Sequence, residues 1–152
     1  MSLLDAPPYD PARERRRRIK LVSAVVLIVV LALVVWMNRY WPEKHVADKF
    51  FAALQKKDYE TAYGTYFADP QWKQHPEKHS QYPYNEFYRD WGPGGEWGIV
   101  NRYEIYGASS CSGGGSGIVV DAIVNGRAEH AQLYVDKSDK SLSPPPCELQ
   151  FR

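Results

Sequence analysis

The first element that the hydrophobic pattern predicts is one uninterrupted apolar run, LVSAVVLIVVLALVVWM, from Leu21 to Met37. None of its residues is charged, and only Ser23 is polar. At the helical rise this run spans about 25 Å, and the aromatic residues up to Trp41 extend it towards the thickness of a bilayer core. The pattern therefore predicts a transmembrane helix over residues 21–41 that contacts the lipid bilayer.

The residues that flank this run decide between an anchor and a cleaved signal peptide. A signal peptide needs small residues after its apolar part, where this chain has WMNRYW. Residues 1–20 carry six cations, against three in residues 38–52, and this excess predicts a cytoplasmic N-terminus. We therefore expect a basic cytoplasmic tail over 1–20, a single span of the inner membrane over 21–41, and an extracytoplasmic domain over 42–152.

The basic tail also has the composition of a nucleic-acid or anionic-lipid patch. Its position directly before an apolar span favours a topology signal instead. Beyond residue 20, acidic residues outnumber basic ones by two. We therefore expect no nucleic-acid partner.

The first half of the expected domain has helical spacing. In KHVADKFFAALQKK (44–57) the apolar residues form one stripe, and Asp58 is a typical N-cap for a second helix, YETAYGTYFA (59–68). A polar, turn-rich segment (71–83) leads to a short third helix, YNEFYRDW (84–91), which Gly92 ends. Three helices are predicted.

The second half has a period of two, which predicts strands at Ile99–Ala108, Gly117–Asn125, Arg127–Val135 and in a short last run from Cys147. Asn125-Gly126 is typical of a type I′ turn. Both central residues of such a turn need positive φ, and asparagine and glycine adopt it most readily. The fold class is therefore α+β: an N-terminal transmembrane helix, then about three helices packed on an antiparallel sheet of about four strands.

A two-residue loop at this turn would place Asp121 directly opposite His130. The predicted core face then carries Ile118, Val120, Ala122, Val124, Ala131 and Leu133. The predicted outer face carries Val119, Asp121, Ile123, His130, Gln132 and Tyr134, and its apolar members suit a protein partner or a second copy of the chain. Asp121 and His130 are weak candidates for a catalytic general-base dyad, and an exposed cross-strand ion pair is the favoured interpretation.

The two cysteines, Cys111 and Cys147, fall at one end of this sheet. In an oxidising compartment the pattern favours a disulfide between them, with two separate thiols as the alternative. A metal site would need further ligands at short spacing, and His75 and His79 alone do not supply a third. We expect no metal and no cofactor.

The phrase VADKFFAALQKKDYETAY resembles the opening of nuclear transport factor 2-like domains, whose cone-shaped α+β fold is shared with ketosteroid isomerase. The residues that carry the resemblance are Ala53, Leu54, Asp58, Tyr59, Ala62 and Tyr63. The resemblance implies a curved sheet with a cavity between its core face and the helices. It brings no catalytic motif with it.

Aromatic residues are the candidates to line such a cavity. Candidate ligand-binding residues are Tyr63, Tyr66, Tyr88, Trp91, Trp97 and Tyr103. The stretch FYRDWGPGGEWG (87–98) is favoured as a turn anchored by its rings, since a phosphate-binding glycine loop should open a helix rather than close one. The predicted function is a membrane-tethered, non-catalytic interaction or assembly module. The alternative is a ligand-binding or enzymatic domain with a tyrosine-lined cavity.

Overall fold

The computed structural model describes residues 11–112 and 114–147. Within these residues the helices are α1 (Pro11–Met37), α2 (Trp41–Gln55), α3 (Tyr59–Tyr66) and α4 (Tyr84–Trp91), with 3₁₀ helices at Trp72–Gln74 and Pro76–His79, and the strands are β1 (Tyr103–Ser109), β2 (Gly117–Val124), β3 (His130–Asp136) and β4 (Leu142–Ser143). The strands form one open antiparallel sheet in the order β1-β2-β3-β4. The predicted α+β class is confirmed.

The chain divides into two compact units, Met1–Arg39 and Tyr40–Arg152. The first unit holds α1, which is long and apolar enough for a membrane span or a signal sequence, and none of its residues is buried. The arginines from Arg13 to Arg18 belong to the same helix. The predicted apolar helix is therefore present, and it begins at Pro11.

The core of the second unit lies between the helices and one face of the sheet. Phe50, Phe51 and Leu54 of α2 are fully buried, as their predicted stripe requires. Asp58 caps α3, because its Oδ1 accepts a hydrogen bond from the Thr61 amide at 3.0 Å. The hydrogen bonds from Thr61 also lower the pKa of the Asp58 carboxyl.

The predicted type I′ turn is confirmed at the end of β2. Asn125 and Gly126 have φ of 55° and 70°, and the Arg127 amide donates to the Val124 carbonyl at 3.1 Å. The predicted pairing register is wrong by two residues: Asp121 lies opposite Gln132, not opposite His130.

The side chain of Asn125 joins the turn to the segment that precedes β1. Its Oδ1 accepts from the Asn101 amide at 2.8 Å, and its Nδ2 donates to the Ile99 carbonyl at 2.9 Å. On the β3 side, pairing begins only at His130, which lies opposite Ile123, so the hairpin closes with extra residues on that side. A shift of two residues keeps each side chain on its face. The six predicted core-face residues are accordingly all buried.

The outer face exposes less apolar surface to solvent than the sequence predicted. Val119 is fully buried rather than exposed. It pairs with Tyr134, whose ring lies so close to the Gly117 backbone that an added Cβ would be 2.6 Å from the ring Cζ. Ile123 and Tyr134 are only half exposed. The expectation of an open apolar docking surface at Val119 is therefore wrong.

The C-terminal part bears on two predictions. Cys111 and Cys147 are joined as a disulfide, with their Cα atoms 6.0 Å apart, so the expected pairing fits. The fourth strand is Leu142–Ser143, which ends at a run of three prolines. The sequence predicts a last strand that starts at Cys147. Its residues from 148 onwards lie outside the described residues.

Candidate functional site

A groove of about 660 Å³ lies among the ends of α3 and α4, the loops around α4, and strands β3 and β4. Its volume is within the range of small-molecule sites. The aromatic lining residues are Tyr66, Phe67, Tyr82, Trp91 and Trp97, and the others are Lys78, His79, Gln81, Asp90, Glu96, Gln132, Leu133, Leu142, Ser143, Pro144 and Pro145. We call this feature the aromatic groove.

The rings of the groove are held by the core behind them. The Tyr66 side chain is 7% exposed and packs against Phe87, with ring centroids 5.8 Å apart. Trp91 meets Phe50 edge-to-face at 4.9 Å. Because these contacts fix Tyr66 and Trp91 before any ligand arrives, ordering these two rings costs little on binding.

Trp97 is held from the opposite side. The guanidinium of Arg127 lies 5.6 Å from the centre of the Trp97 ring, and its Nη1 donates to the Glu96 carbonyl at 2.7 Å. Arg127 directly follows the hairpin turn. The turn that shifts the strand register therefore also positions one wall of the groove.

Two phenols in the groove stay protonated at neutral pH. The Tyr82 hydroxyl donates to Asp90 Oδ2 at 2.9 Å. Burial, and then this hydrogen bond, raise the pKa of Tyr82. Burial also raises the pKa of Tyr66 to about 12, with a further contribution from the charge of Asp90. The wall therefore presents neutral hydroxyl groups. The hydroxyl hydrogen of Tyr82 is already used in its hydrogen bond to Asp90.

One groove residue, His79, belongs to a cluster of a carboxylate and two imidazoles. Asp69 Oδ2 is 3.1 Å from His75 Nδ1 and 3.1 Å from His79 Nε2. The hydrogen bond to His79 is the largest cause of a lowered pKa at Asp69, so this carboxyl is ionised at neutral pH. Among the described residues, no group of three or more histidine, cysteine or acidic residues has the arrangement of a metal site.

His79 is 8% exposed, and its Nδ1 is buried with no hydrogen-bond partner among the described residues. It belongs to the segment 71–83, whose polar composition in the sequence gave no sign of a buried ring. A single 3₁₀ turn, Pro76–His79, folds the ring inward against Phe67, with ring centroids 4.4 Å apart.

The glycine-rich turn after α4 brings the two tryptophan-bearing segments together. The Gly95 amide donates to the Gly92 carbonyl at 3.0 Å, which folds residues 92–95 back over the last turn of α4. A Cβ on Gly95 would lie 1.9 Å from the Asp90 carbonyl oxygen. The stretch is thus a turn, as favoured from the sequence, and its two tryptophans also line the groove.

We expect Gly95→Ala to destabilise the domain by about 2 kcal/mol, because the Asp90 backbone cannot move away without unwinding the end of α4. Gly94→Ala is the matched control, since a Cβ there meets nothing within 4 Å. Urea unfolding of both variants, followed by tryptophan fluorescence, tests this. Equal stability of the two variants would contradict it.

The structure brings together three of the six predicted cavity residues: Tyr66, Trp91 and Trp97. The other three do not line the aromatic groove, and each has its own partner: the Tyr63 hydroxyl donates to the Tyr82 carbonyl at 2.8 Å, Tyr103 donates to Asp48 Oδ1 at 2.8 Å, and Tyr88 packs edge-to-face on Tyr59 at 5.0 Å. Sequence reasoning missed Phe67, Tyr82 and His79. Their only signal was the presence of rings in or beside the polar segment 71–83.

The predicted pair of Asp121 and His130 forms across the sheet, diagonally rather than directly opposite. Asp121 Oδ2 is 2.6 Å from His130 Nδ1, and Gln132 Nε2 donates to Asp121 Oδ1 at 3.1 Å. Asp121 is fully buried and the His130 side chain is 25% exposed, so the expectation that both would be exposed is wrong for Asp121. Neither residue lines the aromatic groove.

A second depression, of about 520 Å³, lies beside α2 and α3 and includes three lysines. Two of these are already paired: Lys73 with Glu60, and Lys140 with the buried Glu43 at 2.8 Å. Its polar groups thus largely satisfy one another. The aromatic groove remains the stronger candidate site.

Comparison of this chain with models of protein families, with curated proteins and with solved structures gives no match.

Proposed function

We propose that this protein is a membrane-anchored, non-catalytic binding module whose α+β domain holds a small organic ligand in the aromatic groove. The observation that carries the proposal is the groove itself: about 660 Å³, with five aromatic rings and several polar groups on its walls. Such a combination of apolar walls and few polar groups is characteristic of ligand pockets. The proposal develops the alternative function predicted from the sequence, a ligand-binding domain with an aromatic cavity.

A nuclear transport factor 2-like plan for the domain belongs to the same proposal. Three helices precede a four-stranded antiparallel sheet, as in that family. The groove includes Leu133 from the core face of the sheet and Tyr66 from α3, which is where the resemblance implies a cavity. The resemblance thus supports binding in this place.

The proposal also includes a location in the inner membrane, with the domain outside the cytoplasm. The apolar α1 provides an anchor, and the basic residues before its apolar part favour a cytoplasmic N-terminus. The disulfide between Cys111 and Cys147 suits an oxidising compartment. A ligand would then be met on the extracytoplasmic side.

Binding without chemistry fits the side chains in the groove. Its acids, Asp90 and Glu96, are exposed to solvent, and the Asp121–His130 pair lies outside it. A general base should reach the bound substrate. The remaining candidate base among the described groove residues is His79, and its Nδ1 has less than 1 Å² of exposed area, which favours holding a ligand over activating one.

The test uses the full chain in dodecyl maltoside micelles, labelled with 5-fluorotryptophan and observed by ¹⁹F NMR. A panel of small aromatic compounds that includes phenol, anisole and indole is titrated in. We expect members of the panel to shift the Trp91 and Trp97 signals and to leave that of Trp72 in place, because Trp72 lies outside the groove.

Two variants make the test specific. Trp91→Leu should weaken binding at least tenfold, because it removes a wall of the groove. Trp72→Leu, at another half-buried tryptophan, should leave affinity unchanged. A panel that shifts neither groove tryptophan, or equal losses in the two variants, would overturn the proposed function.

A further inference from the structure

We infer that the aromatic groove selects ligands that carry a hydrogen-bond donor on an aromatic or apolar body, and that Nδ1 of His79 is the acceptor that recognises the donor. The inference rests on the proposed function and names the chemical class of ligand for the same site. It follows from the hydrogen bonds that the groove residues already make, and from the one buried acceptor that they leave over.

The hydrogen bond to Asp69 fixes the tautomer of His79. An ionised carboxylate can only accept, so the hydrogen at the 3.1 Å contact is carried by Nε2 of His79. Neutral imidazole then has its lone pair on Nδ1. Asp69 also contacts His75 and accepts from the Gln71 amide at 3.0 Å, which holds the carboxylate in place behind the imidazole.

This Nδ1 lacks a partner in a place where polar atoms normally have one. The His79 side chain is more than nine-tenths buried, and no described residue donates to Nδ1. A buried acceptor without a donor destabilises the folded chain, so a ligand that supplies the donor gains that free energy on binding.

The remaining polar groups of the groove also favour a donor on the ligand. The Tyr82 hydroxyl donates to Asp90, and Gln132 Nε2 donates to Asp121. Asp90 and Glu96 offer only acceptor oxygens when ionised. Lys78 is the cation of the lining, and it is exposed. Asp90 and Glu96 therefore give a donor on the ligand further acceptors inside the groove.

His79 itself lines the groove, so the approach to its imidazole that the structure offers is from inside the groove. Bulk water does not reach the atom, since its exposed area is below 1 Å². Phe67 and Tyr82, both half-buried, line the groove beside His79. A ligand ring that enters there shifts one of them and places its own donor on the imidazole. Ligands without a donor make the same ring contacts and leave Nδ1 unpaired.

The experiment compares phenol with anisole, which have the same ring and differ in the hydroxyl donor. Affinities are measured by the ¹⁹F shifts of Trp91 and Trp97 in the full chain, in wild type, His79→Phe and His75→Phe. His75→Phe is the matched control, because His75 contacts the same Asp69 oxygen and does not line the groove. Partition of each compound into the micelles is the same for all three proteins, so it cancels between them.

We expect the ratio of phenol to anisole affinity to fall about tenfold in His79→Phe and to stay unchanged in His75→Phe. An unchanged ratio in His79→Phe overturns this inference and leaves the proposed function standing. Failure of both compounds to shift Trp91 and Trp97 overturns this inference, and the rest of the compound panel then decides the proposed function separately.

A second measurement needs no folded variant of His79. In wild type labelled with [¹⁵N]histidine, the signal of an unprotonated Nδ1 assigned to His79 should move on addition of phenol and stay in place with anisole. Equal movement with both compounds, or a protonated Nδ1 before either is added, overturns the inference.

Discussion

Replacing Cys111 and Cys147 by serine should lower the free energy of unfolding of the domain by about 4 kcal/mol. The bridge joins residues separated by 36 positions, and the loop between them contains β2, β3 and β4. Cross-linking a loop of this length removes much of the conformational entropy of the unfolded chain. The free energy of unfolding of a small domain is only about 5 to 15 kcal/mol in total, so the double variant should be close to unfolding.

The same chain provides the control for this prediction. Urea unfolding of the full chain in micelles is measured with and without dithiothreitol. Reductant should bring the wild type down to the stability of the double serine variant, and it should leave that variant unchanged. A loss below about 1 kcal/mol would show that the bridge adds little to the stability of the fold.

The order of helices and strands was predictable because its signals are local. Asp58 caps α3 through residue Thr61, only three positions away, and the stripe of α2 repeats within single turns. The turn at Asn125-Gly126 was predictable for the same reason. Each of these elements is decided by residues within a few positions of one another.

The register of the hairpin was predicted wrongly because β3 pairs only from His130 onwards, and the turn also makes contacts outside the hairpin. The Asn125 amide group bonds to Ile99 and Asn101, more than twenty residues earlier in the chain. No pattern within the hairpin carries this information. The parity of the faces survived the error because the shift is even, so the core side was still predicted correctly.

The candidate site was predictable in part. Trp91 and Trp97 stood out because they flank a glycine-rich turn, and both line the groove. His79 and Tyr82 were missed, since the segment 71–83 has neither helical nor strand periodicity. Their burial depends on packing against Phe67 and Phe87, which only the assembled fold supplies.

Substituting His130 should reveal how much the buried carboxylate of Asp121 depends on its partner. His130→Phe keeps a ring over Asp121 and removes the nitrogen that contacts Oδ2 at 2.6 Å. Of the two hydrogen bonds that the described residues are seen to make to this fully buried carboxylate, the one from Gln132 then remains. A buried charge that loses one of two partners is strongly destabilising, and we expect a loss of about 3 kcal/mol.

Neutralising the acid should rescue this variant, which separates charge from packing. In the double variant Asp121→Asn with His130→Phe, an amide of almost the same size replaces the carboxylate, and we expect about half of the lost stability to return. His45→Phe is the matched control: His45 is exposed and stacks on Trp41 at 5.1 Å, so its substitution should change stability by less than about 0.5 kcal/mol. Urea unfolding of all four proteins measures the effects. If the double variant is no more stable than His130→Phe alone, the loss comes from ring packing, and the pair does not stabilise the sheet through its charge.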